Sequence, residues 1–138
     1  MSQNFIIKTV GNLNITVHNI GLHKITDSDE LIQGAIKKID SSHYELYNYY
    51  LVNDLKFGCD YLFTEAQNSI LQGKEFKLTR LYKIVKEAID NKSILICWYS
   101  NYTDTIDTYS DESLFIKDLQ KAISKSTCEF YGMYIGNN

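Results

Sequence analysis

Proline is absent from all 138 residues, and arginine occurs once, at Arg80. With no proline-rich linker, no internal repeat and no low-complexity tract, nothing marks a boundary, and residues 1–138 read as one globular domain. One arginine and a net charge of −3 argue against nucleic-acid binding, which draws on clustered arginine and lysine to neutralise phosphates. No apolar run approaches the roughly 20 residues that a helix needs to cross a bilayer. The longest runs only from Ile94 to Tyr99, so a membrane partner is not expected. The start, Met1 to Ile7, lacks both the basic residues and the long apolar stretch of a secretory signal, so a cytoplasmic location is expected.

The residues of familiar catalytic and metal motifs are also sparse. Cys59, Cys97 and Cys128 are odd in number and widely spaced, which suggests neither a disulfide framework nor a zinc site; they read as reduced core thiols. His18 and His23 flank Gly21 with no spacing that brings them onto one metal, and His43 has no companion. No cysteine sits beside a histidine in a motif that enforces a reactive geometry. The seven glycines are isolated, so no phosphate-cradling loop is present. No cofactor and no catalytic activity are expected.

What is present is an ordinary globular composition, 44% hydrophobic and 22% charged, with 11 tyrosines. Phe5–Val10 and Leu13–Ile20 are β-branched segments on either side of Gly11 and Asn12, which predicts an N-terminal β-hairpin. Capping residues from Thr26 to Glu30 precede Leu31, Ile32, Ala35, Ile36 and Ile39 at helical spacing. Residues 41–63 are ambiguous: Ser42 and Glu45 suggest a capping box, while Tyr44, Tyr47, Tyr49 and Tyr50 favour strand, and the balance leans to helix. A helix is predicted from Tyr61 to Gln72 with Gly73 as its stop. The next places Leu78, Leu81, Val85, Ala88 and Ile89 on one face; Lys77, Arg80, Lys83 and Lys86 fan around the other as a solvated surface or an anion site.

Ile94–Tyr99 has the unbroken apolar character of a central strand. A polar stretch from Ser100 to Asp111 leads to a helix bearing Phe115, Leu119, Ala122 and Ile123, capped by Ser110 or Asp111. Thr127–Ile135 reads as a closing strand, which makes a βαβ unit. The fold expected is α+β: a mixed sheet with an N-terminal hairpin and a C-terminal βαβ unit, helices lying between.

The distinctive chemistry is tyrosine interleaved with acid. Between Lys92 and Lys117 there is no basic residue, while Tyr102, Asp104, Asp107, Tyr109, Asp111 and Glu112 fall in one segment after the expected central strand. Carboxylates steer a basic partner and tyrosines anchor it, so this segment is the candidate protein-binding site, or else a solvated loop whose rings pack on the sheet. The Tyr44–Tyr50 cluster is a second candidate surface.

In its small size, acidity, lack of catalytic motif and acidic-aromatic segment at Tyr102, Asp104, Asp107, Tyr109 and Asp111, the chain resembles the immunity proteins of bacterial polymorphic toxins of the contact-dependent growth inhibition type. That resemblance implies a non-catalytic protein that binds one cognate toxin domain, often a nuclease, and covers its active site or substrate surface. A small intracellular enzyme or ligand-binding domain is the alternative, and the oligomeric state is open.

Overall fold

The computed structural model describes residues 3–26, 28–30, 47–58, 60–100, 106–125 and 130–136, with the side chains of residues 3, 4 and 94–100 outside that description. Six strands, β1 (Gln3–Thr9), β2 (Ile20–Lys24), β3 (Asn48–Asp54), β4 (Ile94–Ser100), β5 (Asp107–Tyr109) and β6 (Gly132–Tyr134), form one mixed sheet in the order β2-β3-β1-β4-β6-β5. Among the described residues three helices accompany it in an α+β fold: α1 (Tyr61–Leu71), α2 (Arg80–Asp90) and α3 (Glu112–Ile123).

Strand periodicity explains the core. Side chains alternate across a strand, so Phe5 and Ile7 of β1 join Tyr50 and Val52 of β3 on the face that meets the helices. Leu62 and Phe63 of α1, Leu81, Ile84 and Val85 of α2, and Phe115 and Leu119 of α3 fill the space above them. Ile6, Tyr49 and Met133 point the other way and form a second, smaller buried cluster. β1 lies inside the sheet, antiparallel to β3 with Ile7 opposite Tyr50 and to β4 with Ile7 opposite Leu95. β4 is interior, as its apolar run predicts.

Local chemistry sets the helix ends. Thr79 Oγ1 accepts from the Tyr82 N–H at 3.2 Å at the start of α2, and Asp111 Oδ1 accepts from the Leu114 N–H at 3.0 Å at the start of α3. Gly73, at φ +80°, ends α1 as predicted: its N–H donates to the Ile70 carbonyl and that of Lys74 to the Ser69 carbonyl. The same paired bonds close α2, where Lys92 and Ser93 donate to Ile89 and Ala88, but there the left-handed position, φ 59°, is held by Lys92.

Four expectations need correction. Leu13–Ile20 does not pair with β1; only Ile20 is in a strand, and β2 pairs with β3, Gly21 opposite Asn53. The βαβ unit exists, but its first strand is β5: β5 and β6 are parallel with α3 between them, whereas β4 and β6 are antiparallel. In the segment that leaned to helix, residues 48–54 are strand β3, with Tyr49 and Tyr50 buried on opposite faces. Leu78 lies in a 3-10 turn (Phe76–Leu78) before α2 and is exposed, so it does not belong to the apolar face. The helix expected after Thr26 begins within, and mostly occupies, residues outside the described set, as do Tyr44, Cys59 and Cys128, and the side chain of Cys97 is likewise outside it.

Candidate functional site

Of the predicted site residues, Tyr102 and Asp104 lie outside the described residues. The other four are held together around β5 and the start of α3, each in a different environment. Asp107 is exposed on β5, the last strand of the sheet. Tyr109 turns inward: its ring packs against Phe115 at 5.4 Å and Phe130 at 6.0 Å, and its hydroxyl donates to Asp118 Oδ2 at 2.9 Å. Burial, then the Asp118 carboxylate, pushes the Tyr109 hydroxyl up to about 12. Asp111 is exposed and caps α3. Glu112 accepts from Lys86 of α2, and that bond raises the Lys86 ammonium above its ordinary value. Tyr109 is therefore a structural ring, and Glu112 has a basic neighbour from 26 residues away that its own segment lacks.

Sequence reasoning missed a second locus, centred on Arg80. Its Nε and Nη2 donate to the two Glu65 carboxylate oxygens at 2.8 and 2.9 Å, Nη2 also to Asp54 Oδ2 at 2.7 Å, and Nη1 to the His18 carbonyl at 3.0 Å. Arg80 thus departs from the solvated fan expected of it. The planar guanidinium can make this set of bonds; an ammonium cannot. Asp54, 5% exposed, also accepts from the N–H groups of Lys56 and Phe57 at 2.9 and 2.8 Å. The Arg80 hydrogen bond, with those two N–H groups, holds the Asp54 carboxyl below its usual range against the opposing effect of burial. The Glu65 hydrogen bond is the largest cause raising Arg80 above its ordinary value.

Two clefts flank this network. One, of about 460 Å³, lies between the Thr16–His18 segment and α2 and is lined by Val17, Tyr82, Lys83 and Lys86 among others. Glu87 of α2 accepts from both the N–H and the hydroxyl of Thr16, which ties that segment across the cleft. The other, of about 410 Å³, is bounded by Asn19, Asp54, Tyr61, Glu65 and the turn after β3. That turn carries Leu55 and Phe57, 68% and 59% exposed. Among the described residues no three His, Cys, Asp or Glu side chains are grouped to hold a metal, and no helix is long and apolar enough to cross a membrane.

Comparison with protein families, with curated proteins and with solved structures finds no match to this chain.

Proposed function

We propose that the chain is a non-catalytic immunity protein, of the contact-dependent growth inhibition type, that neutralises a basic toxin domain by covering its active site or substrate surface. The observation that carries this reading is the rim formed by β5 and the start of α3. Asp107 and Thr108 stand exposed on the sheet's last strand, and the exposed cap Asp111 follows directly. A carboxylate rim on ordered elements steers an oppositely charged protein and keeps its geometry on contact. The acidic partner of the pair needs no catalytic group of its own.

The test is calorimetric and kinetic binding to the basic terminal domain of a toxin encoded in the adjacent reading frame, together with relief of that domain's activity. Asp107→Asn combined with Asp111→Asn should slow association and flatten its salt dependence, because rim charges act mainly on encounter. Failure to bind or neutralise the toxin removes the immunity reading. Unchanged rates and salt dependence in the folded double variant remove the rim as its site.

A small-molecule-binding role is favoured by the cleft between Thr16–His18 and α2, whose volume of about 460 Å³ suits a ligand pocket. Lys83 in its wall has no carboxylate partner among the described residues. Thermal stabilisation by an anionic metabolite, lost in Lys83→Met, would support that second role.

A further inference from the structure

We propose that the basic partner adds a strand of its own to the outer edge of β5 and takes the backbone N–H and C=O of Thr108, a mode of binding that rests on the immunity reading. β5 ends the sheet, with β6 on one side and no strand on the other among the described residues. Its ladder to β6 is parallel: the Asp107 N–H donates to the Tyr131 carbonyl at 3.0 Å, and the Ile135 N–H to the Tyr109 carbonyl at 2.9 Å. Successive residues of a strand aim their backbone groups to opposite sides, so Asp107 and Tyr109 serve β6 while Thr108 turns its N–H and C=O outward. Thr108 is exposed there. The flanks of this open residue are fixed from within: Tyr109 is held by Phe115, Phe130 and Asp118, and Asp111 caps α3 two residues further on. A docking strand therefore meets a preformed edge and has little left to order.

The chemistry of the edge selects its occupant. An open strand edge is satisfied by another extended backbone, and main-chain hydrogen bonds supply the affinity in that mode. Asp107 stands exposed beside the open residue, opposite Gly132 of β6, which offers it no side chain. An incoming strand with lysine or arginine across from Asp107 gains an opposite-charge cross-strand pair, and the exposed Asp111 continues the same field. A second copy of this chain brings the same carboxylates and a net charge of −3 to the contact, which blunts the edge against self-pairing. At the other end of the sheet, β2 carries Lys24 exposed and lacks this complement to a basic strand. With three residues in β5, the added strand gains its main-chain bonds at Thr108 alone, and they act together with the carboxylate rim.

The test is amide hydrogen exchange on the full chain, alone and with the basic terminal domain of the toxin encoded in the adjacent reading frame. The Thr108 amide should exchange fast in the free chain and about tenfold or more slowly in the complex, while the Asp107 amide, bonded to β6, should be protected in both. Thr108→Pro deletes the outward N–H without touching a bond to β6, and should raise the dissociation constant by about tenfold or more. Thr108→Val keeps the backbone and should bind as the parent chain does. Thermal melts check the folding of both variants, and if Thr108→Pro does not fold, the exchange experiment decides alone. A complex that forms and neutralises the toxin while the Thr108 amide exchanges as in the free chain overturns the proposal and leaves the immunity reading standing, as does a folded Thr108→Pro with unchanged affinity. Absence of any complex overturns both. Thr108 protection that arises in the chain alone as its concentration is raised assigns the edge to a second copy and also overturns the proposal.

Discussion

Arg80 reaches Asp54 from the first residue of α2 to the last residue of β3, with Nη2 2.7 Å from Oδ2. Glu65 of α1 closes the network from the other side, so one guanidinium ties two helices, a strand and the His18 carbonyl together. Removing it strands the Asp54 carboxylate. Arg80→Met should therefore lower unfolding free energy by about 3–5 kcal/mol, the usual result of breaking a buried pair from one side. Arg80→Lys should recover only part of this, since an ammonium cannot span both carboxylates. Urea denaturation with an unchanged slope measures both; a loss under about 1 kcal/mol in Arg80→Met would show the network to be solvent-screened.

Asp54 makes the fold acid-sensitive. Its carboxyl is held below the ordinary value when folded, so its contribution is complete above the unfolded value and is lost as pH falls through the folded one. Unfolding free energy should thus decline below about pH 4. Asp54→Asn should be less stable at neutral pH and should show a shallower decline. Parallel acid limbs in the two proteins would refute the assignment.

Tyr109 acts at the alkaline end. Its hydroxyl is raised to about 12, above the unfolded value, so its contribution is present below the unfolded value and disappears as pH rises toward the folded one. Absorbance titration should show one tyrosine ionising late, and Tyr109→Phe should remove it. That variant should cost about 1 kcal/mol for the bond to Asp118 and leave the ring packing intact.

Lys92 occupies a backbone position that Gly73 fills in the matching helix end. Lys92→Gly should raise stability by about 0.5–1 kcal/mol, because a left-handed residue with a side chain is strained there. A thermal melt moved upward is the expected result, and a lower one would show that the Lys92 side chain makes a compensating contact.

Asp111 separates structure from recognition. Asp111→Ala should cost about 1 kcal/mol of stability through the lost cap, while Asp111→Asn, also a good cap, should cost much less. Both remove the charge, so both should slow association with a basic partner equally. A binding loss that follows stability rather than charge would exclude Asp111 from recognition.

The features legible in the sequence are those whose chemistry is local. Gly73 stops α1, Asp111 starts α3, and the apolar run at Ile94 makes an interior strand, because each depends on neighbours within a few residues. The Leu13–Ile20 segment misleads because its apolar residues meet the helix layer: Leu13 is buried there, Thr16 is tied to Glu87, and His18 to Arg80. β5 is three residues long inside a polar stretch and has no periodicity to read. The acidic segment around Asp107 was visible as composition. Lys86 beside Glu112, and Arg80 between Asp54 and Glu65, were not, since the partners are 15 to 26 residues apart.

The sheet order also dictates a timetable for biosynthesis. β1 pairs on one side with a strand whose Tyr50 faces Ile7 and on the other with one whose Leu95 does, 43 and 88 residues further along the chain. At a synthesis rate of about 5–20 residues per second, Leu95 is added roughly 4–18 s after Ile7. For about the first half of that interval neither neighbour of Phe5, Ile6 and Ile7 is complete, and for the rest only β3 is, so the growing chain keeps one edge of β1 unpaired until β4 is made. Pairing of both edges of β1 must wait for β4, so late folding is a property of the strand order itself.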